Sequence, residues 1–501
     1  MLTFQNKSLT TMTKEEIQAL RNEPWREELR KKMSPKERAA IERVKMPELT
    51  PEYRVTTFTE EVQQGLTKEM AMTEAQRCLD CADPSCMKGC PVGINIPTFV
   101  KHIEKGEFAE AISTIKKTSS LPAVCGRVCP QEKQCEGQCI KLKMNQKPVA
   151  IGYLERFAAD YERESGKMQV PACAPKNGKK VCVVGSGPSG LAFSADMIKL
   201  GYEVTVFEAL HEIGGVLKYG IPEFRLPNNV VEAEIDTLRK MGVNFQADVI
   251  VGKTVSYEQL HEMGFDGIFV GSGAGLPRFM NIPGENAIGV MSSNEYLTRI
   301  NLMGAGRGQG FDTPVLKGKN VVVCGGGNTA MDSARTAKRM GAETVTLVYR
   351  RGLDELPARA EEVHHAMEEG IDFHVLHNPI EYHSDENGRV CEAVLQVMEL
   401  GEPDASGRRS PVPVEGKTET IPADLVIVAI GVSPNPIIPS NFKGLEISKK
   451  GTIVVGDETM QSAVKDVFAG GDIVRGGATV ILAMGDGRRA AANMHEYLSN
   501  K

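Results

Sequence analysis

The sequence predicts an α/β chain in which an α-helical N-terminal module precedes two Rossmann-like nucleotide-binding units. Three observations carry that prediction. Eight of the 12 cysteines fall between Cys78 and Cys139. A strand, a glycine-rich turn and a helix follow one another at Gly185, and the same pattern returns at Gly325.

Composition sets the frame. A chain of 501 residues is long enough for roughly three domains. A net charge of −6, with 41% hydrophobic and 25% charged residues, is that of an ordinary soluble globular protein. One Trp and a slightly acidic balance leave no footprint for nucleic acid. The opening MLTFQNKSLTTMTKEE lacks the apolar core of a signal peptide. The longest apolar run, 425–432, is too short to span a bilayer, so the expected location is the cytoplasm, with no membrane partner.

Residues 1–70 are polar and helix-prone. The charge runs 25–32 and 36–43 are expected to be solvated helical faces, with a partner-docking arm as the alternative. Segments 99–105 and 108–117 show helical spacing. Between and after them lie the thiols, as C-x2-C-x4-C-x3-C-P and C-x3-C-P-x4-C-x3-C. Crowded thiols in a reducing compartment point to metal ligation. By analogy with the crossed ligation of bacterial ferredoxin runs, Cys78, Cys81, Cys86 and Cys139 would hold one [4Fe–4S] cluster. Cys90, Cys125, Cys129 and Cys135 would hold a second. Two structural zinc sites are the alternative, but zinc has no redox use beside nucleotide sites. The scattered Cys173, Cys182, Cys324 and Cys391 are expected to be buried small hydrophobes.

A linker at 171–180 leads into strand 181–184 and the turn Gly185-Ser186-Gly187-Pro188-Ser189-Gly190, with a helix predicted to about residue 200. Gly185 permits the tight turn, Gly187 admits a pyrophosphate, and Gly190 lets helix and strand pack closely. The second strand, 204–208, ends in Glu208, placed to accept ribose hydroxyl hydrogen bonds, which suits FAD or NAD. The second unit reads strand 321–324, Gly325-Gly326-Gly327-Asn328-Thr329-Ala330, a helix to about residue 340, and strand 344–349. It then has Arg350 and Arg351 where an acid would stand, with Arg359 nearby. Guanidinium groups suit the NADPH 2′-phosphate. Near the C-terminus, strand 467–469 runs into Gly470-Gly471-Asp472, and a helix is predicted from Thr479. Asp472 is placed to reach a ribityl hydroxyl, and the helix would point its positive end at the flavin. Residues 303–310, with alternating Gly, read as a surface loop.

This order of motifs, with the stretches AVCGRVCPQEKQCEGQC, EIGGVLKYGIPEFRLP and DVFAGGDIVRGGATVILAMGDGRRAA, resembles the small (beta) subunit of bacterial NADPH-dependent glutamate synthase. It is also similar to the N-terminal half of dihydropyrimidine dehydrogenase and to the large subunit of the electron-bifurcating NADH-dependent reduced ferredoxin:NADP oxidoreductase. The segment 273–285 looks closer to that last branch. The resemblance implies a flavoprotein disulfide reductase fold with the NADP domain inserted in the FAD domain. The boundaries expected are 1–172 for the iron–sulfur domain, 173–298 with 421–501 for the FAD domain, and 299–420 for the NADPH domain. It matches Gly185, Gly187, Gly190, Glu208, Gly215, Arg225 and Asp472 to FAD positions. Gly327, Asn328, Thr329, Arg350 and Arg351 match NADP positions. It also places Glu155 where relatives can supply a Gln or Glu as the last ligand of the second cluster, in place of Cys125.

The implied activity is hydride transfer from NADPH to FAD, with electrons leaving singly through two [4Fe–4S] clusters. No side-chain acid or base is needed, so no catalytic residue is assigned, and His364 and His365 are expected to be surface or packing residues. No C-x-x-C pair follows the second turn, so dithiol exchange is not expected. Residue 2 is Leu, not a Cys nucleophile, and no length remains for an FMN barrel. A partner is therefore implied: an FMN-containing large glutamate synthase subunit, or a small FAD/[2Fe–2S] reductase subunit with ferredoxin as a further acceptor. A non-catalytic electron-transfer or assembly module is the remaining alternative, against which stand the intact glycines, Glu208 and Asp472.

Overall fold

The computed structural model of the chain describes residues 12–307, 310–405 and 407–501. The first 11 residues of the opening stretch, Leu2 among them, and residues 308–309 of the glycine-rich loop lie outside the described residues. No helix among the described residues is long and apolar enough to cross a membrane.

The N-terminal module is helical, as its apolar spacing dictates. Helix Ile96–Lys105 starts at Asn95, whose side chain accepts from the Thr98 N–H, and stops at Gly106 with φ +84. It buries Phe99, Val100 and Ile103. Helices Phe108–Lys116, Pro122–Val128 and Ile151–Glu164 complete the core, with Ile112, Ile115, Val124 and Leu154 buried. The two charge runs do form helices, Pro24–Lys32 and Pro35–Ala40, yet their faces are not simply solvated. Arg26 and Arg38 are buried. Arg26 donates to Asp80 and, at 2.9 Å, to the Thr98 hydroxyl. Arg38 donates to Glu104 at 2.9 Å and to the Gln76 carbonyl at 2.8 Å. A guanidinium can be buried when carboxylates and carbonyls match its five donors, and distant sequence segments supply them here.

The first nucleotide-binding unit is a five-stranded parallel sheet. Its order is Val467–Ala469, Gly267–Val270, Lys180–Val184, Glu203–Phe207, Asn244–Gln246. A parallel sheet covered on both faces needs continuous apolar strands, and Val181, Cys182, Val183 and Val184 are all buried. Helix Pro188–Lys199 packs against the long C-terminal helix Val480–Ser499.

The second unit repeats the design, in the order Val290–Ser292, Leu425–Val428, Asn320–Cys324, Thr344–Tyr349, Asp372–Val375. This corrects the expected boundaries 299 and 420. Strand Leu425–Val428 pairs with both Asn320–Cys324 and Val290–Ser292, so both flanks belong hydrogen-bond by hydrogen-bond to the second sheet. A three-stranded antiparallel sheet, His377–Ser384, Val390–Pro403 and Arg409–Pro422, is appended to it and was not anticipated.

A buried charge network joins all three parts. Glu369 receives Arg335 at 2.8 Å and Arg339 at 2.7 Å from the second unit, and Arg54 at 3.2 Å from the N-terminal module. Arg225 of the first unit reaches Asp332 at 2.6 Å and Glu362 at 3.1 Å. Phe224 presents its ring to Arg335 and Arg339, with the Arg335 guanidinium 4.8 Å from the centroid. Two scattered cysteines, Cys182 and Cys324, are buried in strands as expected, whereas Cys173 and Cys391 are exposed, on a linker and on the middle strand of the antiparallel sheet.

Candidate functional site

One cleft of about 2340 Å³ runs across both nucleotide-binding units, with both glycine-rich turns in its wall. In the first, Gly185 takes φ +97, and a Cβ there would meet the Gly271 carbonyl oxygen at 2.6 Å. A Cβ at Gly190 would collide with the Gly185 carbonyl, so this glycine sets how closely helix and strand approach. Gly187 differs: nothing stands within 4 Å of its would-be Cβ, so packing does not require glycine there, and the open space is on the cleft side. That is the arrangement a pyrophosphate at a helix N-terminus needs. Glu208 is buried, and its carboxylate accepts from the Ser186 N–H at 2.9 Å, the Ser186 hydroxyl at 2.6 Å and the Leu210 N–H at 3.0 Å. The Ser186 hydroxyl in turn accepts from the Gly214 N–H, which ties Gly215 and its neighbours to the turn.

At the other wall, Gly471 takes φ +79, and the Asp472 carboxylate accepts from the Ala478 N–H at 3.1 Å. Burial pushes the Asp472 carboxyl up to about 6. Thr479 caps the 20-residue helix by accepting from the Leu482 N–H, and lines the cleft. The orphan N–H groups of that helix therefore face a cavity.

The second turn matches the first. Gly325 has φ +138, Gly327 again has open space around its would-be Cβ, and Asn328 and Thr329 line the cleft. Arg350 is exposed and Arg351 buried, and both line it. Arg351 is held by the Arg409 carbonyl at 2.8 Å and by Asp404. Arg359, grouped with them from sequence, turns the other way: it donates to the Arg127 carbonyl at 2.6 Å and to Gln131 at 2.9 Å. It docks the second unit on the thiol module, because those acceptors are buried and would otherwise lack a donor. Arg225, assigned to FAD, lines the cleft but has its guanidinium committed to Asp332 and Glu362. Arg408 and His377 also line the cleft: His377 opens the antiparallel sheet, and Arg408 lies in the turn just before its last strand.

The thiols gather in two groups. Cys78, Cys81, Cys86 and Cys139 surround one small cavity with Ile96, Pro97 and Val100. The buried Lys101 ammonium donates to the Cys78 carbonyl at 2.7 Å, which adds positive charge beside them. Burial, followed by the neighbouring thiols, pushes Cys81 up to about 11. Thiols crowded in this way are held as thiolates only by a metal centre. The second group contains Cys90, Cys125, Cys129, Cys135 and Glu155. Burial, and then the charges of Glu155 and Cys129, push Cys90 up to about 11, while Cys90, Cys129 and Glu155 all act on Cys135. Glu155 is buried, its Oε1 has no hydrogen-bond partner, and burial together with Glu234 raises its carboxyl to about 8. Cys125 touches Cys129, but its Sγ also lies 3.5 Å from the Met484 sulfur on the C-terminal helix.

The second thiol group and the cleft share structure. Val128 and Pro130, either side of Cys129, line the cleft. Gly485 of the C-terminal helix comes so close to Pro91 that a Cβ would lie 3.0 Å from its carbonyl oxygen. Arg488 of the same helix donates to the Val92 carbonyl at 2.8 Å. Cys90 and Cys129 are thus held by loops that pack directly on the cleft wall.

Two family models match the chain: dihydropyrimidine dehydrogenase domain II, 4Fe-4S cluster, over residues 54–167, and pyridine nucleotide-disulphide oxidoreductase, over 179–487. The first sets zinc aside. The chain is 36% identical over 463 residues to the glutamate synthase [NADPH] small chain of Escherichia coli, covering 91% of this chain and 98% of that one. It is 36% identical over 469 residues to the NADPH-Fe(3+) oxidoreductase subunit beta of Geobacter sulfurreducens, covering 89% of this chain and 68% of the relative. Among solved structures, Mycobacterium tuberculosis FprA in complex with NADPH shares the fold, with a TM-score of 0.55 and 21% identity over 65% of this chain and 85% of that one.

Proposed function

The chain belongs to the glutamate synthase small-chain family of pyridine nucleotide-disulphide oxidoreductases, as an NADPH-dependent oxidoreductase with a 4Fe-4S domain, and from that membership we propose that it feeds electrons from NADPH, through FAD and two [4Fe–4S] clusters, to a partner subunit. The partner proposed is a large glutamate synthase subunit carrying FMN. When bound, FAD accepts a hydride and the clusters carry single electrons, which is the cofactors' own chemistry. The protein's residues bind and orient. Gly185, Gly187 and Gly190 with the first turn, and Asp472 and Thr479 opposite, would hold FAD. Gly327, Asn328, Thr329, Arg350 and Arg351 would hold NADPH, with Arg408 as an added cation. Cys78, Cys81, Cys86 and Cys139 would hold one cluster. Cys90, Cys129 and Cys135 with Glu155 would hold the other, and Cys125 is left to pack against Met484.

The observation that carries this reading is the shared wall: Val128 and Pro130, flanking Cys129, face the same cleft as Gly187 and Asp472. The decisive test is anaerobic iron, sulfide and flavin analysis with a visible spectrum before and after NADPH. About eight iron and one FAD per chain are expected, with the flavin bleached by NADPH. One cluster's worth of iron, or a flavin that NADPH leaves oxidised, overturns it. Arg350→Ala is expected to raise KM for NADPH by about tenfold or more while leaving NADH turnover unchanged, since only the 2′-phosphate contact is lost. Steady-state kinetics with both nucleotides checks this. An equal effect on NADH would move Arg350 out of the phosphate site.

A further inference from the structure

Outside both thiol groups, the chain gathers a third set of ligand-type side chains at the rim of the nucleotide cleft. Strand Asp372–Val375 turns into strand His377–Ser384 at Leu376, which takes φ +57. The Leu376 N–H donates to the Arg351 carbonyl at 3.0 Å, and its own carbonyl accepts from the Met398 N–H at 2.7 Å. This corner brings His374 and His377 side by side, ring centroids 4.1 Å apart. Both reach the same oxygen of Glu419, on strand Arg409–Pro422: His374 Nε2 at 3.0 Å and His377 Nε2 at 3.2 Å.

The tautomer of His377 makes this arrangement informative. Its Nδ1 lies 2.8 Å from the Val375 carbonyl, which can only accept, so Nδ1 carries a proton. In the neutral ring Nε2 then bears its lone pair toward the Glu419 carboxylate. Two acceptors at that distance repel unless a cation stands between them. One proton serves one such pair, whereas one metal ion serves all three ligand atoms, which lie within 4.8 Å of one another. A backbone carbonyl that orients the ring through its far nitrogen is the usual outer support of a metal-bound histidine.

We propose that His374, His377 and Glu419 form a site for a divalent transition cation of the zinc class, with water in the remaining position. Two imidazoles and a carboxylate are the donor set such an ion takes when one coordination position stays open. His377 also lines the cleft, so the ion sits at its rim, joined to Arg351 through the Leu376 corner.

The test uses the intact chain with iron and flavin in place, purified without oxygen and dialysed against micromolar Zn2+. Bound zinc, iron and flavin are then measured. Wild type is expected to take up one zinc per chain with no loss of iron. H374A, H377A and E419Q, each retaining full iron and flavin, are expected to bind it at least about tenfold more weakly. The half-exposed position of Glu419 lets E419Q serve where a histidine variant fails to fold. The proposal is overturned if wild type takes up no zinc, leaving ring protonation as the occupant, or if the variants bind as wild type does. Zinc uptake that displaces iron and persists in H374A belongs to the thiols and overturns it equally.

Discussion

Glu155→Ala is expected to cost one of the two proposed clusters, about four of eight iron atoms per chain, whereas Cys125→Ala keeps both. Glu155 is buried with one carboxylate oxygen unpartnered. A carboxylate in that state is costly unless a cationic centre meets it. It acts electrostatically on Cys90, Cys135 and Cys125 alike, which places it within the second thiol group. Cys125 has another use: its thiol packs on the Met484 sulfur, where the C-terminal helix meets the thiol module. Removing that sulfur leaves a small cavity, worth about 1–2 kcal/mol, but no open coordination site. Iron and sulfide content, with the low-temperature magnetic spectrum of the reduced protein, separates the two. Full iron in Glu155→Ala and half in Cys125→Ala would return the last ligand to Cys125.

Glu369→Gln is expected to destabilise the interdomain junction by about 3–5 kcal/mol, because it strips the shared counter-ion from Arg335, Arg339 and Arg54, all buried. The wild-type carboxyl gives a second handle. Burial alone would raise it, but Arg335 and Arg339 outweigh that and hold Glu369 near 2, and Glu362 is held near 2 against burial by Arg225 and Arg335. Depressed carboxyls contribute stability that is fully present above their unfolded value of 4.5 and is lost as pH falls toward 2. Urea unfolding at neutral pH should therefore show the variant's earliest transition at much lower denaturant. Between pH 4.5 and 2 the wild type should lose stability more steeply than Glu369→Gln. Parallel acid limbs would mean that Glu369 is not charged in the folded chain.

Much of the site was legible locally. The strand at 344–349 and the helix starting beside Thr479 follow from runs of Val and from cap residues within a few positions of one another. Gly185 and Gly325 declare themselves because positive φ and a close carbonyl oxygen admit no Cβ, whereas Gly187 and Gly327 face open space. The antiparallel sheet after residue 376 has its own local signal, Asn387-Gly388 between alternating strands, which favours a hairpin turn. That hairpin follows the His377 corner, and Arg408 lies in the next turn, before strand Arg409–Pro422. The charge runs at 25–32 and 36–43 misled: composition suggests solvent, but only Asp80 and Glu104, arriving from far along the chain, decide that Arg26 and Arg38 can be buried.

The sequence by itself determined the secondary structure around both nucleotide turns, the α/β class and the presence of a thiol-rich helical module. Each of these rests on side-chain period, backbone conformation or donor chemistry within one short segment. The tertiary structure decided the rest: which flank strands close the second sheet, why Arg359 leaves the nucleotide cleft for the Arg127 carbonyl, and how Glu155 comes to stand unpaired beside Cys90 and Cys135. These depend on which buried donors and acceptors are left unmatched once the layers pack. That account closes only over the whole chain, because an unpaired polar group costs more than the bond that would satisfy it contributes.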